Sequence, residues 1–448
     1  MGPRAIGPAL ACLALALRLL HSFRVPLPSN DGAGYLWMAG RLAEGDLAAG
    51  LGHAFHPGWP LLLAPGLAAG LDPFTAARLA GAATGALWVL LLWQLCRPRG
   101  LVPALAVATC AALSFDGVRL VAEAYSESPT LVLTAVALLL LKRGRVAWAG
   151  AVLGVGYWFR PEVLALLPLL WIPTATPRRR LAGAGLAVAG VATLALARLA
   201  LCGRLEASPK LDVVLSHGPF GAAAAGERLA LLGRNLLHLP YEGVQALDVV
   251  GLPFAVAGLV LLLRDRRRVG LLTLAALALG WAAMVATEVK PRFFLTQAPV
   301  LLPLAAAALA RGGRAALVLF ALGPLLAVAR LDHDYRDPPR ADRTAERALG
   351  AWLGERLAPA DDLVTDLPRV AYYAGREPPP PRRWTEPLLR ARIDGERPRF
   401  VVLGVRREGR AELAASLAAY RPLPAVLATL AEGGATGVER LGLYERTR

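Results

Sequence analysis

Acidic residues, histidine and methionine are scarce in this chain: 33 Asp and Glu, six His and three Met among 448 residues. Cysteine is rarer than chance would need for a framework. Cys12, Cys96, Cys110 and Cys202 show no CxxC spacing and no paired histidine, which excludes a Cys/His metal site and a disulfide scaffold. They read as small packing residues. Charged residues make up only 18% of the chain against 56% hydrophobic, and the mean hydropathy of +0.48 lies outside the soluble range. A formal charge of +16 from 49 Lys and Arg would suit nucleic acid. The arginines, however, gather in short clusters between apolar blocks, where a membrane protein keeps its cytoplasmic anchors. Nucleic acid is therefore set aside as a partner.

What the chain has is apolar blocks. Eleven are predicted as membrane spans: Ala5 to Phe23, Thr75 to Leu95, Leu101 to Phe115, Ser128 to Leu141, Val146 to Phe159, Val163 to Pro177, Leu181 to Leu201, Ala246 to Leu263, Val269 to Thr287, Phe293 to Ala310, and Ala315 to Arg330. No small-residue cleavage site follows the first, so it reads as an uncleaved span. The basic clusters at Arg97 and Arg99, Lys142 to Arg145, Arg178 to Arg180, Arg264 to Arg268, and Arg311 with Arg314 test the count. All five fall on one face if Arg160-Pro161-Glu162 is a true re-entry between two spans. Fusing those spans into one would send three clusters to the wrong side. The fold class is thus an α-helical polytopic membrane protein of about eleven spans, with the N-terminus cytoplasmic.

The opposite, extracytoplasmic face then receives the distinctive chemistry: the first outside loop 24–74, the segment Asp116 to Glu127, Arg160-Pro161-Glu162, the loop Cys202 to Gln245, and Glu288 to Arg292. Ionisable groups at a membrane boundary are costly, which makes them functional candidates. The domain 1–330 is followed by a soluble extracytoplasmic domain, 331–448, read as a small α/β unit. Its elements are a helix at Ala341 to Leu357, strands at Leu363 to Thr365, Phe400 to Leu403 and Leu441 to Tyr444, and a helix at Glu408 to Tyr420. The four prolines within Glu377 to Arg383 require an extended loop. This domain has no GxGxxG, no P-loop and no metal-ligand cluster.

In the first loop, Asp31 precedes Tyr35 and an amphipathic stretch, Met38 to Leu42, which predicts a helix lying on the membrane surface. Asp31 suits its N-cap, a general base, or a divalent-metal ligand. Other candidates also have two readings. Arg160 is a phosphate clamp or a snorkelling anchor, and Lys290 with Arg292 is a clamp or a plain loop pair. Glu127 is a catalytic acid or a helix-start residue beside Pro129, and Glu162 is a substrate contact or a partner of Arg160. His56 before Pro57 is a ligand or a loop histidine. Tyr35, Trp37 and Trp59 are sugar platforms or, by preference, interfacial-belt aromatics.

The order Asp31…Tyr35…Ala39 to Asp46…His56-Pro57…Pro60 resembles the start of GT-C type glycosyltransferases, among them protein O-mannosyltransferases and lipid A aminoarabinose transferases. Three further segments resemble theirs in the same order: Ala124 to Pro129, Tyr157 to Glu162, and Lys290 to Leu295 with Pro299 and Pro303 beyond. The resemblance spans the membrane part and a tail segment containing Arg369 to Arg376, and it implies an inverting hexosyl or pentosyl transferase. Its donor would be a polyprenyl-phosphate sugar, and its acceptor a lipid, protein or polysaccharide outside a bacterial inner membrane. It implies Asp31 and Glu127 as catalytic acids and bases, with Arg160, Lys290 and Arg292 on the donor phosphate. Tyr35, His56 and Glu162 would then line the substrate. One departure is Gly32, where many relatives carry Glu; Glu44, Asp46, Glu123 or Glu127 would have to supply a second carboxylate. A divalent cation, Mg2+ or Mn2+ at Asp31, is left open. A secondary transporter and a non-catalytic envelope-assembly protein are the readings from other classes, disfavoured by charges gathered at one face and not mid-bilayer.

Overall fold

The computed structural model describes residues 5–172, 175–206, 208, 219, 225–359, 361–379, 386–404 and 410–447. The apolar blocks, rich in the Ala and Leu that lose least on becoming helical, form a bundle around one apolar core. Helix α1 covers Ile6–Ser22, and Pro73–Cys96, Leu101–Leu113, Glu127–Lys142 and Val146–Phe159 follow with short connections. Small residues bring the backbones together. A Cβ at Gly150 would lie 1.9 Å from the Gly183 carbonyl, so Val146–Phe159 and Pro177–Cys202 pack with almost no side chain between them.

Four elements depart from the sequence expectation. The sixth block is a 3-10 helix, Pro161–Trp171, with Pro168 inside it, where an α-helix would lose a hydrogen bond and be kinked. Residues 173–174 of that block lie outside the described residues. The last two blocks join as Ala298–Arg336, broken at Gly313 (φ 67°, ψ −159°). The halves fold back on one another: Leu302, before the break, lies beside Gly251, and Gly323, after it, meets Val250 and the Asp248 carbonyl just before Gly251–Asp265. The outside segments are also less loop-like than expected, since Phe115–Ala122 and Ala225–Ala246 are helices.

By length and apolarity, five helices among the described residues qualify as membrane-crossing, or six if the pair Ala225–Ala246 and Gly251–Asp265, bent by 104°, is one span. Several others are short: the 14 residues of Val146–Phe159 rise only about 21 Å at 1.5 Å per residue. The architecture is a multi-span helical one, but these lengths do not establish a count of eleven.

Beyond Arg336 lies a four-stranded sheet in the order β1-β2-β4-β3. β1 (Leu363–Thr365) runs parallel to β2 (Phe400–Gly404), and β4 (Leu441–Arg446) is antiparallel to both β2 and β3 (Tyr420–Pro422). β3 opens at Tyr420, the residue expected to end a helix. That helix is Arg410–Leu417; residues 408–409, like 380–383 of the proline loop, lie outside the described residues. The buried residues of Thr344–Gly354 and Pro368–Tyr373 pack on one side of the sheet, around Leu349, Val370, Phe400 and Val402.

Candidate active site

The site begins with a helix cap. Ser29, fully buried, is the N-cap of α2 (Asn30–Ala43), its hydroxyl oxygen accepting the Gly32 N–H at 2.8 Å. Asp31 is therefore not the cap. It sits two residues on, within the first turn, where its carboxylate meets another partner. That partner is Arg292, whose Nη1 donates to Asp31 Oδ2 at 2.9 Å. The Arg292 guanidinium lies over the Tyr125 ring at 4.8 Å and beside Phe293 at 5.2 Å, contacts worth about 0.5–2 kcal/mol each where water is excluded.

A second arginine stands next to the first. Arg160, at the end of Val146–Phe159, forks onto Glu162, with Nη2 to Oε1 at 2.8 Å and Nε to Oε2 at 3.3 Å. Its Nη1 donates to the fully buried Glu127, the first residue of Glu127–Lys142. The Arg160 guanidinium is 5.3 Å from the Phe293 ring, so one aromatic ring is shared by both arginines. Burial alone would lower the Arg160 pKa, but Glu127 and Glu162 outweigh it and raise it. Burial likewise opposes the charge on Arg292, and Asp31 more than restores it. Both guanidiniums are fixed cations. Glu127 Oε2 and Arg292 Nε are buried without a hydrogen-bond partner among the described residues.

The floor is aromatic. Tyr35 donates to or accepts from Ser126 Oγ at 3.2 Å and packs on Phe55 at 4.7 Å between ring centroids. Burial pushes its phenol pKa up. Trp59 is fully buried, its indole N–H on the Ala124 carbonyl at 3.2 Å. Neither belongs to an interfacial belt; both are core. The same holds for α2, expected on the membrane surface. It carries Tyr35, Leu36, Met38, Ala39 and Leu42 on more than one stripe, and a helix apolar on more than one side is buried.

Other sequence-predicted residues sit at the margin. Lys290 is 37% exposed and pairs with Glu288 at 3.0 Å. His56 Nε2 meets Ser208 Oγ at 3.2 Å, with its ring edge-on to Tyr157. Glu44 pairs with Arg41 and Asp46 caps Leu47–Gly52, so neither replaces the carboxylate that Gly32 lacks. Glu123 is engaged by Arg119 at 3.0 Å and Arg340 at 2.6 Å. Among the described residues no group of three or more His, Cys, Asp or Glu is placed to hold a metal ion, and the charge facing Asp31 is a guanidinium.

Gly32 has a physical reason to be glycine. A Cβ there would lie 2.5 Å from the Glu123 carbonyl oxygen and 3.0 Å from Ser29 Oγ. The backbone of α2 rests directly on the segment before Glu127, and no side chain fits between. Sequence reasoning did not single out Tyr125 or Phe293, which hold the arginines, and their only signal was an aromatic neighbour in each acidic or basic motif.

No family model matches the sequence, and no curated protein matches it. Solved structures do. ArnT from Cupriavidus metallidurans bound to undecaprenyl phosphate is 13% identical with a TM-score of 0.61, and the match covers 97% of each chain. The same protein in the apo state is 14% identical with a TM-score of 0.55, again over 97% of each. The chain has a GT-C-like fold.

Proposed function

We propose that this chain, with its GT-C-like fold, is a membrane glycosyltransferase. It moves a hexose or pentose from a polyprenyl-phosphate donor to a hydroxyl of a lipid, protein or polysaccharide, with inversion, outside a bacterial cytoplasmic membrane. The observation that carries this reading is the Asp31–Arg292 pair: a carboxylate suited to accept a proton lies beside a cation suited to hold phosphate. The undecaprenyl phosphate in the ArnT structure supports the donor class.

The chemistry follows from that adjacency. Asp31 takes the acceptor hydroxyl proton as the oxygen attacks the anomeric carbon. The bond from that carbon to the phosphate oxygen breaks, and its electron pair leaves on polyprenyl phosphate. Attack opposite the leaving group inverts the anomeric centre. Arg292, with Arg160 beside it, stabilises the charge growing on the phosphate. In the free protein Asp31 occupies Arg292, so an arriving phosphate competes with the carboxylate and releases it to act as base. Tyr35, His56 and Glu162 fall in this reading to sugar or acceptor contacts, Glu127 to holding Arg160, and Lys290 to the approach of the phosphate. No step needs a metal ion.

The test is sugar transfer by the full chain in lipid nanodiscs. It uses a panel of polyprenyl-phosphate sugars, a crude membrane acceptor extract, and the wild type beside Asp31→Asn and Arg292→Gln. Release of polyprenyl phosphate by the wild type alone is the expected result. Undiminished release by Asp31→Asn would remove the base assignment, and a wild type that binds none of these lipids would remove the function.

A further inference from the structure

We infer that Arg369 of the C-terminal domain is a positioning residue that fixes the Asp31 end of α2. Arg369 is 2% exposed, in the first turn of Pro368–Tyr373. Two of its donors fork onto Glu346, Nε to Oε2 at 2.7 Å and Nη2 to Oε1 at 2.9 Å. Its remaining nitrogen, Nη1, leaves the domain and donates to the Pro28 carbonyl at 3.4 Å. Pro28 directly precedes Ser29, the cap of α2.

The opposite side of the same short segment is held as well. The Ser29 N–H and hydroxyl both donate to the Glu123 carbonyl at 3.1 Å. The Glu123 side chain is bound in turn by Arg340, which follows the last membrane helix. Residues 28–32 are thus held by Arg369 directly and by the Glu123 carbonyl, whose residue Arg340 holds in turn. Tyr372, three residues after Arg369, packs against the aromatic cluster that contains Tyr35.

Stability alone does not account for this arrangement. A buried Arg–Glu pair gives a domain core little that apolar residues of the same volume would not give, whereas a planar fork with a third donor fixes a direction as well as a contact. The start of α2 needs such direction. Displacing a reacting group by about 1 Å can cost on the order of a hundredfold in rate, and Asp31 lies three residues beyond the Pro28 carbonyl. The catalytic consequence rests on the function proposed above; the positional role does not.

The test uses the full chain in nanodiscs carrying Glu346→Leu with Arg369→Met, which removes both charges together and strands neither. Hydrogen exchange of the amides at 29–33 is expected to quicken at least about tenfold, with α1 and Pro73–Cys96 unchanged. The rate constant for polyprenyl-phosphate release is expected to fall about ten- to hundredfold, with the donor KM within about twofold. If the double variant loses its soluble domain, Arg369→Lys keeps a cation on Glu346, gives up the fork, and is read by the same two measurements. Unchanged exchange at 29–33 in a folded variant overturns the inference. A wild type inactive with every donor overturns the proposed function instead, and the exchange result still decides this one.

Discussion

Arg292 and Asp31 lie 261 residues apart in the chain and are joined by a hydrogen bond of 2.9 Å at the N-terminal ends of their helices. In the proposed reaction the donor phosphate takes the place of the Asp31 carboxylate on Arg292. Asp31→Asn is therefore expected to separate two properties. Transfer should fall by roughly 100- to 10,000-fold, the usual contribution of a general base. Donor affinity should hold or rise, because the phosphate no longer competes with a carboxylate for Arg292. Calorimetric binding of a polyprenyl-phosphate sugar beside the transfer rate reads both, and weaker binding would sink the competition argument.

Gly32 and Gly40 share α2 but meet different surroundings. A Cβ at Gly32 collides with the Glu123 backbone carbonyl, while one at Gly40 meets nothing within 4 Å. Gly32→Ala should destabilise the protein by about 1–3 kcal/mol, as overpacking does. Gly40→Ala should be neutral or stabilising by up to about 1 kcal/mol, as in any helix interior. Thermal unfolding of the two variants decides it; equal midpoints would contradict the close packing of α2.

Removing Glu127 leaves Arg160 buried with, among the described residues, only the Glu162 carboxylate against it. Glu127→Ala is expected to cost about 3 kcal/mol, the low end for breaking a buried ion pair, whereas Glu44→Ala on the exposed Arg41 pair should cost less than about 1 kcal/mol. Denaturation in a mild detergent compares them, and a Glu127→Ala variant as stable as Glu44→Ala would show that the buried pair carries no weight.

Glu123 links pH to the contact between the two parts of the chain. Burial opposes its charge, but Arg340 and Arg119 outweigh that and hold its carboxyl below the ordinary value of 4.5. A depressed carboxyl contributes in full above the ordinary value and loses that contribution as pH falls through the lowered one. Acid should thus loosen the Arg340 contact below about pH 4.5. Glu123→Gln should flatten that part of the stability profile; a profile unchanged by the substitution would assign the acid sensitivity elsewhere.

Since the positive charge opposite Asp31 is Arg292, transfer is expected to persist in excess EDTA. A rate that collapses on chelation and returns with Mg2+ or Mn2+ would mean that a cation joins Asp31 once the donor phosphate is present.

The membrane helices were legible because long Ala/Leu blocks between arginine clusters have few other uses. The meeting of Asp31, Glu127, Arg160 and Arg292 was legible only as a shared face: topology could place them on one side of the membrane without saying which carboxylate meets which guanidinium. Asp31 itself disguised the cap, because Ser29 two residues earlier is an equally good capping residue. The burial of α2 was missed because its apolar residues were read as one stripe. Arg369 lies in the tail segment that the resemblance took in, but its bond to the Pro28 carbonyl leaves no trace in residue type. Gly32 looked like a missing acid, and only the position of the Glu123 carbonyl explains it.

The clasp from Arg369 back to Pro28 also sets an order in time. A chain made from its N-terminus has α1 and α2 available long before residue 369 exists, an interval on the order of tens of seconds at ordinary elongation rates. Arg292 is made earlier, and until Arg369 follows it the start of α2 lacks the bond from Arg369 to the Pro28 carbonyl. The nascent protein is inserted but not yet assembled for chemistry, and synthesis of its last quarter completes the site.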